Sequence, residues 1–139
     1  MNGFLLDTNV VSETTKPEPA SQVIAFLTAQ NDLWLSAIVL HELEFGLQLL
    51  LPGHRRDRIA SALSAFVAEY EHRILPIGRQ EARSAAWFRG QSRRSGRVLH
   101  LADALIAGTA QVNGLIIATR NVSDFDGLGV AVTNPWEPL

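Results

Sequence analysis

Phe4, Leu5 and Leu6 run without interruption into Asp7, and Thr8 and Asn9 follow. A short strand that is apolar at every position reads as buried on both faces, as in a parallel sheet covered by helices. The run also ends in a carboxylate at the point where the strand leaves the core. In open α/β sheets, ligands bind outside the carboxyl ends of the strands. The plainer reading of Asp7 is a cap for the segment that follows, a common use of Asp and Asn.

The rest of the chain alternates in the same way. Leu33-Trp34-Leu35, Ile74-Leu75-Pro76-Ile77, Leu115-Ile116-Ile117-Ala118 and Val130-Ala131-Val132 read as further short strands. Pro76 marks its strand as an edge or a strand end. Helical spacing covers Ala20 to Ala29, Ala37 to Leu51 behind a Ser36 N-cap, His54 to Glu71, Arg79 to Arg94, and Leu101 to Val112. Pro52-Gly53, Ser95-Gly96 and Asn113-Gly114 close three of these. Val10 to Ser12 leads into a loop with Pro17 and Pro19, and Thr119 to Gly129 reads as a loop or short helix. Strands alternating with helices predict βαβ units around a mainly parallel sheet of about five short strands. A length of 139 residues predicts one domain over 1–139, with roughly 70% of the unfolded surface buried.

Composition narrows the function classes. There is no cysteine, which excludes disulfides and thiolate metal sites and fits a reducing cytoplasm. No apolar run exceeds five residues, far short of the ~20 needed to span a membrane, and the N-terminus does not read as a signal peptide. A net charge of −2 does not suggest a strongly basic nucleic-acid binder. The arginines are nevertheless clustered, as Arg55, Arg56 and Arg58 and as Arg89, Arg93, Arg94 and Arg97. They read either as solvated helix faces or as phosphate partners, for which arginine's planar fork is suited.

Three more acids stand in apolar company. At 100° per residue, His41, Glu44 and Gln48 share one side of their helix, and Glu42 lies on the other with Ile38, Gly46 and Leu49. Asp103 is the only charged residue between Leu101 and Val112, in a helix apolar all round and hence of a kind normally buried. A buried carboxylate costs several kcal/mol unless it is paired, hydrogen-bonded or bound to a metal. Asp124 follows the strand at Leu115 to Ala118, and its plainer reading is an Asx turn. Carboxylates brought together repel, and a divalent cation removes the conflict. Hard oxygen ligands suit Mg²⁺ or Mn²⁺ rather than zinc, and such a site points to phosphoryl chemistry with a metal-activated water.

In these residues the chain resembles the PIN-domain nucleases, most closely the VapC/FitB-like toxins of bacterial toxin–antitoxin pairs. The resemblance rests on Leu5-Leu6-Asp7-Thr8-Asn9-Val10-Val11-Ser12 and on Leu35-Ser36 with His41-Glu42-Leu43-Glu44-Phe45-Gly46. It continues in Leu101-Ala102-Asp103-Ala104-Leu105-Ile106-Ala107, Ala118-Thr119-Arg120-Asn121-Val122-Ser123-Asp124-Phe125 and Thr133-Asn134-Pro135-Trp136. It implies a PIN-like α/β/α sandwich. It implies that Asp7, Glu42 and Asp103 are acidic positions of a metal site, with the fourth role open between Asn121 and Asp124. Thr8, Ser36 and Thr119 would orient acids or metal-bound water. Arg55, Arg56, Arg93 and Arg94 are the candidates for substrate phosphates. The resemblance further implies an Mg²⁺- or Mn²⁺-dependent endoribonuclease that leaves a 3′-hydroxyl and a 5′-phosphate. It implies a homodimer, and a small antitoxin with a DNA-binding domain that would form a hetero-oligomer on operator DNA. The rivals are a PIN-like module that binds nucleic acid or protein without cutting, a nuclease acting on DNA, and a phosphate-accepting receiver-like domain. The receiver needs a late lysine, and the only lysine is Lys16. A P-loop NTPase is excluded by the absence of GxxxxGK.

Overall fold

The computed structural model describes residues 3–138. The strands are β1 (Phe4–Leu6), β2 (Leu33–Ser36), β3 (Ile74–Leu75), β4 (Ile116–Ala118) and β5 (Val132–Thr133). The helices are α1 (Thr8–Glu13), α2 (Ser21–Ala29), α3 (Ala37–Gln48), α4 (His54–Glu69), α5 (Arg79–Arg94) and α6 (Leu101–Asn113), with a 3₁₀ turn over Val122–Phe125. The five strands form one sheet in the order β3-β2-β1-β4-β5, and every pairing is parallel. The expected α/β fold class and strand count are therefore borne out, and the strand carrying Pro76's neighbours is an edge.

The sheet is covered, as its sequence demands. Leu5, Leu6, Leu35 and Ile117 are fully buried although successive residues face opposite sides. Strand β1 sits in the middle. From it the chain goes to β2 and β3 on one side, then returns to β4 and β5 on the other. This reversal of direction opens a crevice at the carboxyl ends of β1 and β4, where an open α/β sheet binds its ligand.

Helices α5 and α6 form an antiparallel pair against the sheet. A β-carbon on Gly108 would lie 2.7 Å from the Glu81 carbonyl oxygen and 2.9 Å from the Ala85 nitrogen. Only glycine allows α6 to approach α5 this closely. Ser84 donates to Gln111 Oε1 at 2.6 Å along the same seam. The antiparallel course sets the end of α5 beside the start of α6, and thus beside Asp103. Gly114, at φ 66°, ends α6 in the left-handed conformation.

Four local readings need correction. Residues Thr8–Glu13 form a helix where the sequence suggested only a lead into a loop. Asp7 caps it, accepting from Thr8 N at 2.8 Å. Helix α3 ends at Gln48 rather than Leu51, and Leu49 and Leu51 are 69% and 86% exposed. Apolar side chains carried the helical spacing past the point where there was a core to bury them. The last strand is Val132–Thr133, paired with Ile117 and Ala118, not Val130–Val132. Helix α6 is buried only through its middle, since Leu101 and Val112 are exposed and Asp103 is half-buried.

Candidate active site

Asp7 is the buried centre of the crevice, with 6% of its surface exposed. Its Oδ1 accepts from Thr8 N, and its Oδ2 accepts from Thr119 Oγ1 at 2.7 Å and from Asn9 Nδ2 at 3.4 Å. Thr119 continues β4, whose Ala118 carbonyl accepts from Asp7 N at 2.9 Å. The Thr119 hydroxyl also accepts from Asn9 Nδ2 and from Asn121 N. Burial pushes the Asp7 carboxyl up from its ordinary value, the bonds from Thr119 and Thr8 pull it back, and repulsion from Glu42 and Asp124 raises it again.

Glu42 is half-buried on α3, and its Oε1 accepts from Thr8 Oγ1 at 2.6 Å. Glu44, two residues on, is exposed. Asp103 lies in the first turn of α6, where the helix dipole favours negative charge. Its carboxyl is nevertheless pushed up to about 6, by burial first and then by repulsion from Asp7, Asp124 and Glu42, with His100 opposing. Asp124 sits exposed on the 3₁₀ turn, and its N–H bonds back to Asn121 O at 3.1 Å. Asn121 is exposed at the head of that turn.

The carboxyls of Asp7, just after β1, and of Asp103 on α6 are thus both raised by the charges of Glu42 on α3 and Asp124 on the β4–β5 connection. Among the described residues no three of them are already gathered on one point. Their donor chemistry is entirely hard oxygen, and a divalent cation is the neutral way to draw repelling carboxylates together. The residues fit such an ion by chemistry.

Residues 4–128 match the PIN domain model. The chain is 42% identical over 138 residues to the VapC ribonuclease Y4jK of Sinorhizobium fredii, covering 97% of this chain and 99% of that one. It is 38% identical to the toxin FitB of Neisseria gonorrhoeae, covering 96% and 98%. A solved structure of FitAB bound to an IR36 DNA fragment superposes with a TM-score of 0.89 at 34% identity, covering 98% and 97%. The chain belongs to the PIN-domain family.

In this PIN domain the remaining site candidates fall in different places. Ser36 is fully buried, and its hydroxyl accepts from Val39 N at 3.4 Å. It caps the helix that carries Glu42 and reaches no carboxylate among the described hydrogen bonds, so it acts on the acids only through α3. Arg55 lines a cavity of about 320 Å³ beside Glu42, together with Ser12, Lys16 and Arg58, over a floor of Leu43, Leu47 and Leu63. Arg56 instead turns to Gln48 Oε1 at 3.2 Å. Arg93 lines a separate cavity of about 310 Å³ with Arg89 and Arg97. Arg94 is exposed on the outer face of α5.

Glu13 escaped the sequence reading. It is 5% exposed, pairs with Lys16 Nζ at 2.9 Å and accepts from Ala20 N at 2.8 Å. The hydrogen bond from Lys16, then that from Ala20, holds its carboxyl below the usual range. It thereby ties α1 to the start of α2 and fixes Lys16 on the cavity wall. Its signal was available as a Glu-x-x-Lys spacing, but without the α1 helix that spacing had no geometric meaning.

Proposed function

We propose that this chain is an endoribonuclease that acts as the toxin of a toxin–antitoxin pair and depends on Mg²⁺ or Mn²⁺. The observation that carries the reading is that Glu42 and Asp124 lie close enough to raise the carboxyls of both Asp7 and Asp103 at the sheet's crevice, in a chain matched over 97% of its length to a VapC ribonuclease. Asp7, Glu42, Asp103 and Asp124 would hold the ion, with the Asn121 carbonyl as a further oxygen donor. When bound, the ion supplies an activated water and stabilises charge on the attacked phosphate. The chain's own work is orientation: Thr119 and Thr8 fix the rotamers of Asp7 and Glu42 from behind. Arg55, which lines a cavity with Glu42, would meet a substrate phosphate there, with Arg56, Arg93 and Arg94 as more distant contacts.

The partners follow from the same family. FitAB on a DNA fragment supports a complex with an antitoxin partner. In this reading the antitoxin carries the DNA-binding part and the hetero-oligomer sits on operator DNA. A homodimer and a cytoplasmic location complete the reading, with residues 1–139 as one PIN domain. Among the described residues no helix is long and apolar enough to cross a membrane.

The test is incubation of antitoxin-free protein with a mixed RNA pool in Mg²⁺, in Mn²⁺ and in EDTA, beside Asp7→Asn. Metal-dependent cutting by the wild type alone is expected. No cutting together with no Mn²⁺ binding by calorimetry would make the acids structural, and the non-cutting binding module would replace the nuclease.

A further inference from the structure

The outer face of α5 carries a feature that the acid cluster does not use. Trp87 is 58% exposed, although its indole packs edge-on against the buried Phe88 ring at 5.5 Å and 69°. It is therefore a large aromatic on a helix, presented to water. It shares the wall of a cavity of about 280 Å³ with Gln91, Arg97 and Leu128. Arg97 also borders the neighbouring cavity, which Arg89 and Arg93 line. Arg89 and Arg93 stand about 200° and 240° around α5 from Trp87, on its other flank. Arg97 and the exposed Arg94 are on the Trp87 side. The ion pairs among the described residues involve Lys16 with Glu13 and Arg73 with Asp32, so neither Arg94 nor Arg97 has a carboxylate partner. Arg97 donates to the Asp126 carbonyl at 2.6 Å and to the Ser123 carbonyl at 3.3 Å, which are in and beside the turn that bears Asp124. The surface thus runs from Trp87, past Arg97, to the rim of the acids.

We propose that this surface is a subsite for single-stranded RNA, with a nucleobase stacked on Trp87 and neighbouring phosphates on Arg94 and Arg97. The proposal rests on the ribonuclease reading and extends it to where the strand lies away from the cut. An apolar protein segment would cover the indole and leave the guanidiniums unmatched, whereas each nucleotide brings a flat base and an anion together. Stacking of this kind tolerates sequence, because every base has a π-face. Arg94, seven residues after Trp87, lies on the same helical stripe about two turns on, and Arg97 lines the cavity that Trp87 walls.

Binding is best measured on the Asp7→Asn chain in EDTA, where nothing is cut. The probe is a labelled single-stranded oligoribonucleotide of about ten nucleotides, followed by anisotropy and by tryptophan emission. Trp34 and Trp136 are half-buried with Arg73 and Arg120 over their rings, which leaves Trp87 as the indole open to quenching. Trp87→Ala is expected to weaken binding about tenfold with the oligomeric state unchanged. Trp87→Phe should keep affinity within about threefold while the quenching disappears. Arg94→Gln should reduce the slope of log K against log salt by about 0.7. Unaltered affinity in Trp87→Ala, or no RNA binding by the parent chain, overturns the subsite. So does an oligomer that dissociates in Trp87→Ala, which would give the surface to a second copy. The two readings separate cleanly. Wild-type cutting with an indifferent Trp87 removes the subsite alone, and Trp87-dependent binding without any cutting removes the nuclease alone.

Discussion

Asp7 is nearly inaccessible and both of its carboxylate oxygens accept hydrogen bonds, whereas Asp103 is half-buried, Asp124 is exposed, and neither accepts a side-chain hydrogen bond among the described residues. The inner half of the site is part of the fold: the Asp7 carboxylate bridges the end of β1 to the end of β4 through Thr119. The rim half is held by its helix and its turn alone. A carboxylate of the first kind contributes to stability and to the site together. One of the second kind contributes to the site at some cost to stability, because its charge is repelled and poorly compensated.

The sharpest way to break this contrast is alanine at each position. Asp7→Ala and Asp103→Ala should both reduce RNA cleavage below detection. Their melting temperatures should diverge. Asp7→Ala leaves the Thr119 hydroxyl and Thr8 N–H without their acceptor, at about 1–3 kcal/mol, or roughly 3–10 °C in Tm. Asp103→Ala removes a repelled carboxylate and should melt at or above the wild type at pH 8. A loss of equal size in the two variants, by differential scanning calorimetry, would mean the rim acid is as much a part of the fold as Asp7.

The same contrast predicts a pH dependence. In the folded chain Asp103 titrates at about 6 against 3.8 ordinarily, so the folded state favours its proton. The stability this proton gives is fully present below about pH 4 and is lost as pH rises to about 6. Divalent-cation binding at the proposed site would run the opposite way, because the ion must displace the proton. Mn²⁺ affinity, measured by calorimetry, should rise about fivefold from pH 5 to 6, reach about tenfold by pH 7 and flatten above it, with proton release that fades over the same range. Asp103→Asn should flatten this rise. A rise that persists unchanged would assign the titration to Asp7.

Much of the fold was legible in the sequence because burial on both faces leaves few alternatives. The runs at Phe4–Leu6, Leu33–Ser36 and Ile116–Ala118 have no polar face to offer water, so only a covered parallel sheet accommodates them. What was hidden was decided by tertiary context. Helix α1 is only six residues long, below the length at which spacing is informative, and Asp7 starts it. Leu49 and Leu51 look like core residues, yet the chain turns before reaching a core. For the site, a charge among apolar residues singled out Asp7, Glu42 and Asp103, since exposure patterns are local along a helix or strand. Their mutual repulsion and the Thr119–Asp7 bond, between residues 112 apart, depend on strand order and carry no local signal. Ser36 illustrates the limit from the other side. Its pattern as an N-cap was readable, and that is the role its hydroxyl fills.

The smallest test concerns the two threonines behind the acids. Thr119 is fully buried, donates to Asp7 Oδ2 and accepts from Asn9 and Asn121, whereas Thr8 is half-buried and its hydroxyl serves Glu42 alone. Valine replaces either side chain at nearly constant volume, so the lost hydrogen bonds dominate. Thr119→Val leaves buried donors and an acceptor unmatched, and it should cost about 1–2 kcal/mol. It also removes the bond that pulls the Asp7 carboxyl down, so the pH at which Mn²⁺ binds should move upward. At Thr8, water can replace the hydroxyl on the accessible side of Glu42, and the cost should stay near 0.5 kcal/mol, about the low end for one hydrogen bond, with the Mn²⁺ midpoint unmoved. Equal losses, or a Thr119→Val chain that takes up Mn²⁺ at the wild-type pH, would show that the β1–β4 seam does not set the proton affinity of Asp7.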